Sequence, residues 1–252
     1  MNNIPPDFQK LLESIKGIIF DFDGTIFDNK KIAYHLISQN PFAISRIWNE
    51  RLIRSRYAGI DFSEPENYFN AFFKDLGKAC HLSPEQIRIW YFEHYMPGMV
   101  RVLKKHYKPR DRMQELLNYI DTSKCLFKVA VYSDYPFVKE RMQALKLYIP
   151  QNIRLYGPES FGAQKPSAKP FLQIARDLNL APEEILMVGD REDTDGLGAA
   201  SAGMYFYHLK TGHSKFGFLD PSRVKKQRKL QENVPSAYAG TWNELMKMLQ
   251  VK

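Results

Sequence analysis

Short, largely apolar runs recur at residues 17–20, 127–132, 153–156, 185–188 and 204–209, and each ends at a polar or turn-forming residue. Between and after them lie stretches with apolar residues at helical spacing: 111–120, 171–178, 197–202 and 241–249. The run at 127–132 leads through Ser133, Asp134, Tyr135 and Pro136 into a pattern with Val138, Met142 and Leu145 on one helical face. Uninterrupted apolar strands alternating with amphipathic helices predict an α/β fold, a three-layer, doubly wound parallel sheet with helices on both faces.

Residues 29–108 follow a different rhythm. Phe42, Ile44, Ile47, Trp48 and Leu52 recur at helical spacing, as do Tyr68, Phe69, Phe72, Phe73 and Leu76, and no convincing strand interrupts them. The expected organisation is a core domain of residues 1–28 and 109–252 with an α-helical cap domain, 29–108, inserted after the first strand. Aromatic residues of the insertion, Trp48, Tyr57, Tyr68, Trp90 and Tyr91 among them, are expected in its core.

At 252 residues and 44% hydrophobic composition, the chain can bury a sizeable core without disulfides or a structural metal. Cys80 and Cys125 are too few for a disulfide framework and are expected as reduced, buried thiols. The first residues resemble no signal peptide and no window has the apolar length of a spanning helix, so a cytoplasmic location without membrane contact is expected. The net charge is +8, and the insertion, with 13 Lys/Arg against 7 Asp/Glu, carries most of it. That excess favours an anionic partner without choosing one. The basic run at 222–231 lacks interleaved aromatics or a binding module and is expected to be a solvated surface, not a nucleic-acid site.

Chemistry concentrates where strands end, and in an open parallel sheet those ends converge on one crevice. Asp21 and Asp23 lie two apart in Asp21-Phe22-Asp23-Gly24-Thr25, so both carboxylates can face one site while Gly24 lets the chain turn away. Ser133 follows the second strand. Lys165 lies in a Pro-punctuated loop, and an acidic turn from Gly189 through Asp190, Asp193 and Asp195 follows 185–188. Like charges packed this closely require a cation. An attacking carboxylate, a second acid, a lysine and a hydroxyl are the groups needed for phosphoryl transfer through an aspartyl phosphate. Oxygen donors without nearby His or Cys point to Mg²⁺.

The chain resembles the haloacid dehalogenase superfamily, in its phosphatase form with an inserted helical cap. The resemblance rests on DFDGT at 21–25, YSD at 132–134, KPSAKPF at 165–171 and GDREDTDGLGAASAG at 189–203, in the family's order. It implies that Asp21 is the nucleophile and a metal ligand, and that Asp23 is the general acid and base and lends its carbonyl to the metal. Asp190 would complete the metal's protein shell, with Asp195, or alternatively Asp193, as the second acid of the fourth motif. Ser133 and Lys165 would be catalytic, and Gly24, Thr25, Ser133, Asp134 and Lys165 would surround the substrate phosphate. Cap residues would supply specificity, with Arg46, Arg51, Arg54 and Arg56 as candidates and Asp28 and Asn29 near the hinge.

The expected enzyme is a Mg²⁺-dependent phosphatase acting on a small phosphorylated metabolite such as phosphoglycolate, a sugar phosphate or a nucleotide-like monoester, as a monomer or homodimer. A phosphotransferase resembling a phosphoglucomutase shares every core residue and stays open, as does a catalytically silent regulatory protein, against which the intact Asp21, Asp23, Lys165 and Asp190 speak.

Overall fold

The computed structural model describes residues 6–122, 125–210 and 237–249. Helix α1 (Pro6–Ser14) precedes strand β1 (Gly17–Asp21). Helices α2 (Ile32–Gln39), α3 (Ile44–Tyr57), α4 (Pro65–Cys80), α5 (Pro84–Ile89), α6 (Met96–His106) and α7 (Met113–Ile120) separate it from β2 (Lys128–Tyr132). Then come α8 (Val138–Ala144), β3 (Arg154–Tyr156), α9 (Ala168–Leu178), β4 (Ile185–Gly189), α10 (Leu197–Ser201), β5 (Tyr205–Leu209), β6 (Ala237–Gly240) and α11 (Trp242–Met248).

The six strands form one parallel sheet in the order β3-β2-β1-β4-β5-β6. Side chains alternate across it. Ile18, Phe20, Val129, Val131, Leu186 and Val188 pack with residues of α1, α7, α8 and α11, whereas Ile19, Ala130, Tyr132, Ile185 and Met187 pack with those of α9 and α10. The fold is therefore the expected three-layer doubly wound architecture. Burial of each such Ile, Leu or Val contributes roughly 1.5–3 kcal/mol. The five apolar runs correspond to β1–β5. The sixth strand, Ala-Tyr-Ala-Gly, has no β-branched residue and owes its conformation to parallel pairing with β5.

The helical insertion has a core of its own, in which Tyr68, Phe69, Phe72, Phe73 and Leu76 of α4 are buried as expected. Helix α3 corrects the sequence pattern. Phe42 is 97% exposed and Trp48 54%, and Ile44 and Leu52 are exposed as well, so of that apolar set only Ile47 is buried. The inward face consists of Ile47, Glu50, Ile53, Arg54 and Tyr57. Glu50 and Arg54 neutralise each other there, which lets two charged residues occupy the interior and turns the apolar ones outward.

The insertion is docked on the sheet domain. Phe62 N donates to Gly162 O at 2.9 Å, and Lys169 Nζ pairs with Asp61 Oδ1 at 2.9 Å. Where the chain leaves and re-enters the sheet domain, Phe27 bridges to Pro109, and Arg110 donates to the carbonyls of Gly24, Thr25 (2.7 Å) and Ile26 (2.8 Å). Cys80 and Cys125 are free thiols, partly rather than fully buried, and desolvation raises the pKa of both. Among the described residues no helix is long and apolar enough to cross a membrane. The basic run at 222–231 lies outside the described residues.

Candidate active site

The strand order reverses between β1 and β4, and at such a point the carboxyl ends of neighbouring strands open a crevice. Asp21 is the last residue of β1 and Asp190 follows β4. Ser133 follows β2, the other neighbour of β1, and Lys165 comes from the loop beyond β3. The topology alone thus delivers four sequence-distant groups to one edge of the sheet.

Lys165 is buried and its Nζ donates to Asp21 Oδ1 at 2.5 Å and Asp195 Oδ1 at 2.8 Å, 4.8 Å from the centre of the Tyr132 ring. Burial opposes its charge, yet Asp195 and Asp21 more than offset this and raise its pKa. Thr25 Oγ1 donates to the other oxygen of Asp21 at 3.1 Å. Burial pushes Asp21 up to about 7; Lys165 works against that shift, and Asp195 and Asp23 add to it. Asp190 is pushed up to about 8, first by burial and then by Asp21 and Asp195.

Asp21, Asp190 and Asp195 each offer a carboxylate oxygen, all within 4.8 Å of one another. Asp190 Oδ1 is buried without any hydrogen-bond partner among the described residues. A desolvated carboxylate oxygen lacking a donor, among other acids, fits a hard divalent cation. Gly24, with φ +98°, faces this group, and a Cβ there would stand 2.2 Å from Asp190 Oδ2. Gly189 is similarly constrained, because its Cβ would meet Asp195 Oδ2 at 2.3 Å. Of the two acids in the turn, Asp195 is buried beside Lys165. Asp193 instead pairs with the Arg191 guanidinium at 2.7 and 3.0 Å, outside the group.

Asp23 points elsewhere. Its carboxylate accepts from Ser133 Oγ at 3.1 Å and from the Arg141 guanidinium. The Asp134 carboxylate accepts the Lys165 backbone N–H at 3.1 Å, so it orients the lysine loop, and burial raises its pKa. Arg54 Nη1, from the insertion, donates to the Asp134 carbonyl at 2.6 Å and its guanidinium lies 4.2 Å from the Tyr135 ring centre. Glu50, Tyr68 and Tyr91 hold the rest of Arg54, and Gln164 Nε2 donates to Tyr68 at 2.8 Å. Of the other cap arginines, Arg46 lies 5.9 Å from the Trp90 ring centre, and Arg51 and Arg56 are exposed.

Arg141 and Arg110 have no place in the sequence expectations. A signal for Arg141 was present, since it falls on the same helical stripe as Val138, Met142 and Leu145, where a charged residue needs a buried partner.

A parallel doubly wound sheet with a helical insertion after its first strand, and with acids and a lysine gathered at the switch point, is the architecture of a class of hydrolases built on a Rossmann-like sheet. Residues 15–203 match the haloacid dehalogenase-like hydrolase family, and the chain belongs to it. A glyceraldehyde 3-phosphate phosphatase of Pyrococcus furiosus is 25% identical over 228 residues, covering 83% of this chain and 85% of that protein. An N-acetylmuramic acid 6-phosphate phosphatase of Pseudomonas putida is 27% identical, covering 82% of this chain and 86% of the relative. Among solved structures, a 2-haloacid dehalogenase from Pseudomonas syringae pv. tomato superposes with a TM-score of 0.59 at 20% identity, covering 94% of this chain and 98% of that one, and so shares the fold.

Proposed function

We propose that the protein is a Mg²⁺-dependent phosphatase that hydrolyses a small phosphorylated metabolite, such as a sugar phosphate, phosphoglycolate or a nucleotide-like monoester, by way of phosphoryl transfer to Asp21. The observation that carries this reading is the Lys165 ammonium bridging Asp21 and Asp195 at 2.5 and 2.8 Å, beside a buried Asp190 oxygen that has no donor. The phosphatases among its relatives support the substrate class.

In the first step an oxygen of Asp21 bonds to phosphorus as the ester O–P bond breaks, and the departing oxygen takes a proton from Asp23. In the second, water attacks phosphorus, Asp23 accepts its proton, and the Asp21–phosphorus bond breaks to release inorganic phosphate. Lys165 holds Asp21 in place and balances charge on the phosphoryl oxygens, and Ser133, whose hydroxyl donates to Asp23, steadies the acid. Asp21, Asp190 and the Asp23 carbonyl would hold Mg²⁺, which supplies further neutralisation of phosphoryl charge. Residues 29–108 serve as the cap that excludes water above the crevice while 1–28 and 109–252 form the catalytic core.

A panel of phosphorylated metabolites assayed for phosphate release with Mg²⁺, with Asp21→Asn as control, tests this reading. Release by the wild type and its loss in a folded Asp21→Asn protein are expected; full activity in that variant would contradict the assignment, and transfer of phosphate to a sugar without release would contradict hydrolysis.

A further inference from the structure

Arg141 is the exception on an otherwise apolar helix face. Val138 and Met142 beside it are buried hydrophobics, and the guanidinium is as buried as they are, at 0% exposure. Taking a cation out of water costs several kcal/mol unless fixed partners compensate, and an apolar side chain of similar size would pack there more cheaply. The partners are two residues of the site. Nη1 donates to Ser133 Oγ at 2.9 Å and Nη2 to Asp23 Oδ1, while the Phe22 ring lies 4.2 Å from the guanidinium carbon.

Ser133 closes the arrangement. Its oxygen accepts from Arg141 and from the Tyr135 N–H at 3.1 Å, and its single proton goes to Asp23 Oδ2 at 3.1 Å. Both lone pairs and the proton are thereby used. Both oxygens of Asp23 are engaged in turn, one by each partner. Among the described residues the side-chain hydrogen bonds of Arg141 run to Asp23 and Ser133 alone, its Nε having no partner there, and none reaches Asp21, Lys165, Asp190 or Asp195.

We propose that Arg141 is a positioning residue that locks Asp23 and Ser133 into one rigid unit and so sets where the Asp23 carboxyl group meets the leaving-group oxygen. The proposal rests on the phosphatase reading above. Its consequence is selective: loss of Arg141 impairs the step that Asp23 serves and spares attack by Asp21.

The test compares kcat/KM, which reports the steps through phosphoryl transfer, for phenyl phosphate and p-nitrophenyl phosphate. Phenolate is the more basic leaving group and needs the proton; p-nitrophenolate leaves without it. In Arg141→Met, kcat/KM should fall about 100-fold for phenyl phosphate and by no more than about 3-fold for p-nitrophenyl phosphate. In an Asp23→Ala background the same substitution should change kcat/KM for phenyl phosphate less than about 2-fold, since its route of action is already gone. Equal losses on the two esters, or a full further loss in the Asp23→Ala background, would overturn the proposal. Should Arg141→Met not fold, Arg141→Lys, which keeps the charge but cannot span both partners, carries the same comparison, with the ratio between the two esters shifting at least about 5-fold. A wild type that cleaves neither ester nor any metabolite of the panel removes the phosphatase reading and this inference with it, whereas an active wild type with equal losses removes only the positioning role.

Discussion

Asp21 ends β1 and Asp23 follows two residues later, yet different parts of the chain supply their cations. Asp21 is tied to Lys165 from the loop beyond β3 and shares it with Asp195. Asp23 is tied to Arg141 from α8 and shares it with Ser133. On the first side the cation is a point charge among several acids, with a buried oxygen of Asp190 left over; on the second it is a planar fork that engages one carboxylate and one hydroxyl. The difference suits the two tasks proposed, since a nucleophile among phosphoryl oxygens needs charge balance and an acid that delivers a proton needs a fixed position.

The strongest way to break this comparison is Lys165→Met. It leaves Asp21 and Asp195 buried without their shared cation, and it should destabilise the protein by about 3–5 kcal/mol. Turnover should fall at least about 1000-fold. Thermal melting and kcat measured side by side check both, and a variant that melts like the wild type would show that the lysine does not balance the acids.

A smaller effect is expected from pH. Asp21, raised to about 7, and Asp190, raised to about 8, retain protons in the folded protein that the unfolded chain has released above about pH 4. Unfolding therefore releases protons through this window, and the stability of the metal-free protein should fall as pH rises from about 5 to about 8. Mg²⁺ favours the charged carboxylates and should flatten the slope. Melting temperatures across that range in EDTA and in Mg²⁺ decide the matter; a metal-free protein that gains stability towards pH 8 would contradict the acid cluster as described.

The smallest effect belongs to Thr25→Val, which removes the 3.1 Å hydrogen bond to Asp21 without altering charge. A loss of about 1–2 kcal/mol is expected from chemical denaturation, with Asp23 and its partners undisturbed. A loss as large as that of Lys165→Met would mean that the hydroxyl, not the ammonium, holds the nucleophile.

How much of this was legible in the sequence follows the same division. The acids and the lysine stood out because each lies in a polar break after an apolar run, where periodicity ends and motifs are visible. Arg141 and Glu50 escaped because they sit inside helices, where a charged residue is ordinarily read as solvated; Arg54 stands among the expected cap candidates, but not as the buried partner of Glu50. On α3 the outcome was inverted: Trp48 and Leu52 face outward while Glu50 and Arg54 face inward. Their interior position depends on pairing with each other and with Tyr68, Tyr91 and the Asp134 carbonyl, contacts that span up to 80 residues and leave no trace in local hydrophobicity. The strand Ala237–Gly240 was missed for a related reason, since its order comes from the neighbouring β5.

Rapid acid quenching of the wild type during turnover of a substrate found in the panel, followed by mass spectrometry of the peptide that contains Asp21, tests the central claim most directly. A phosphoryl mass increment on Asp21 that appears and decays at the rate of turnover is predicted. Turnover in which that peptide stays unmodified while the label appears on another residue would contradict it.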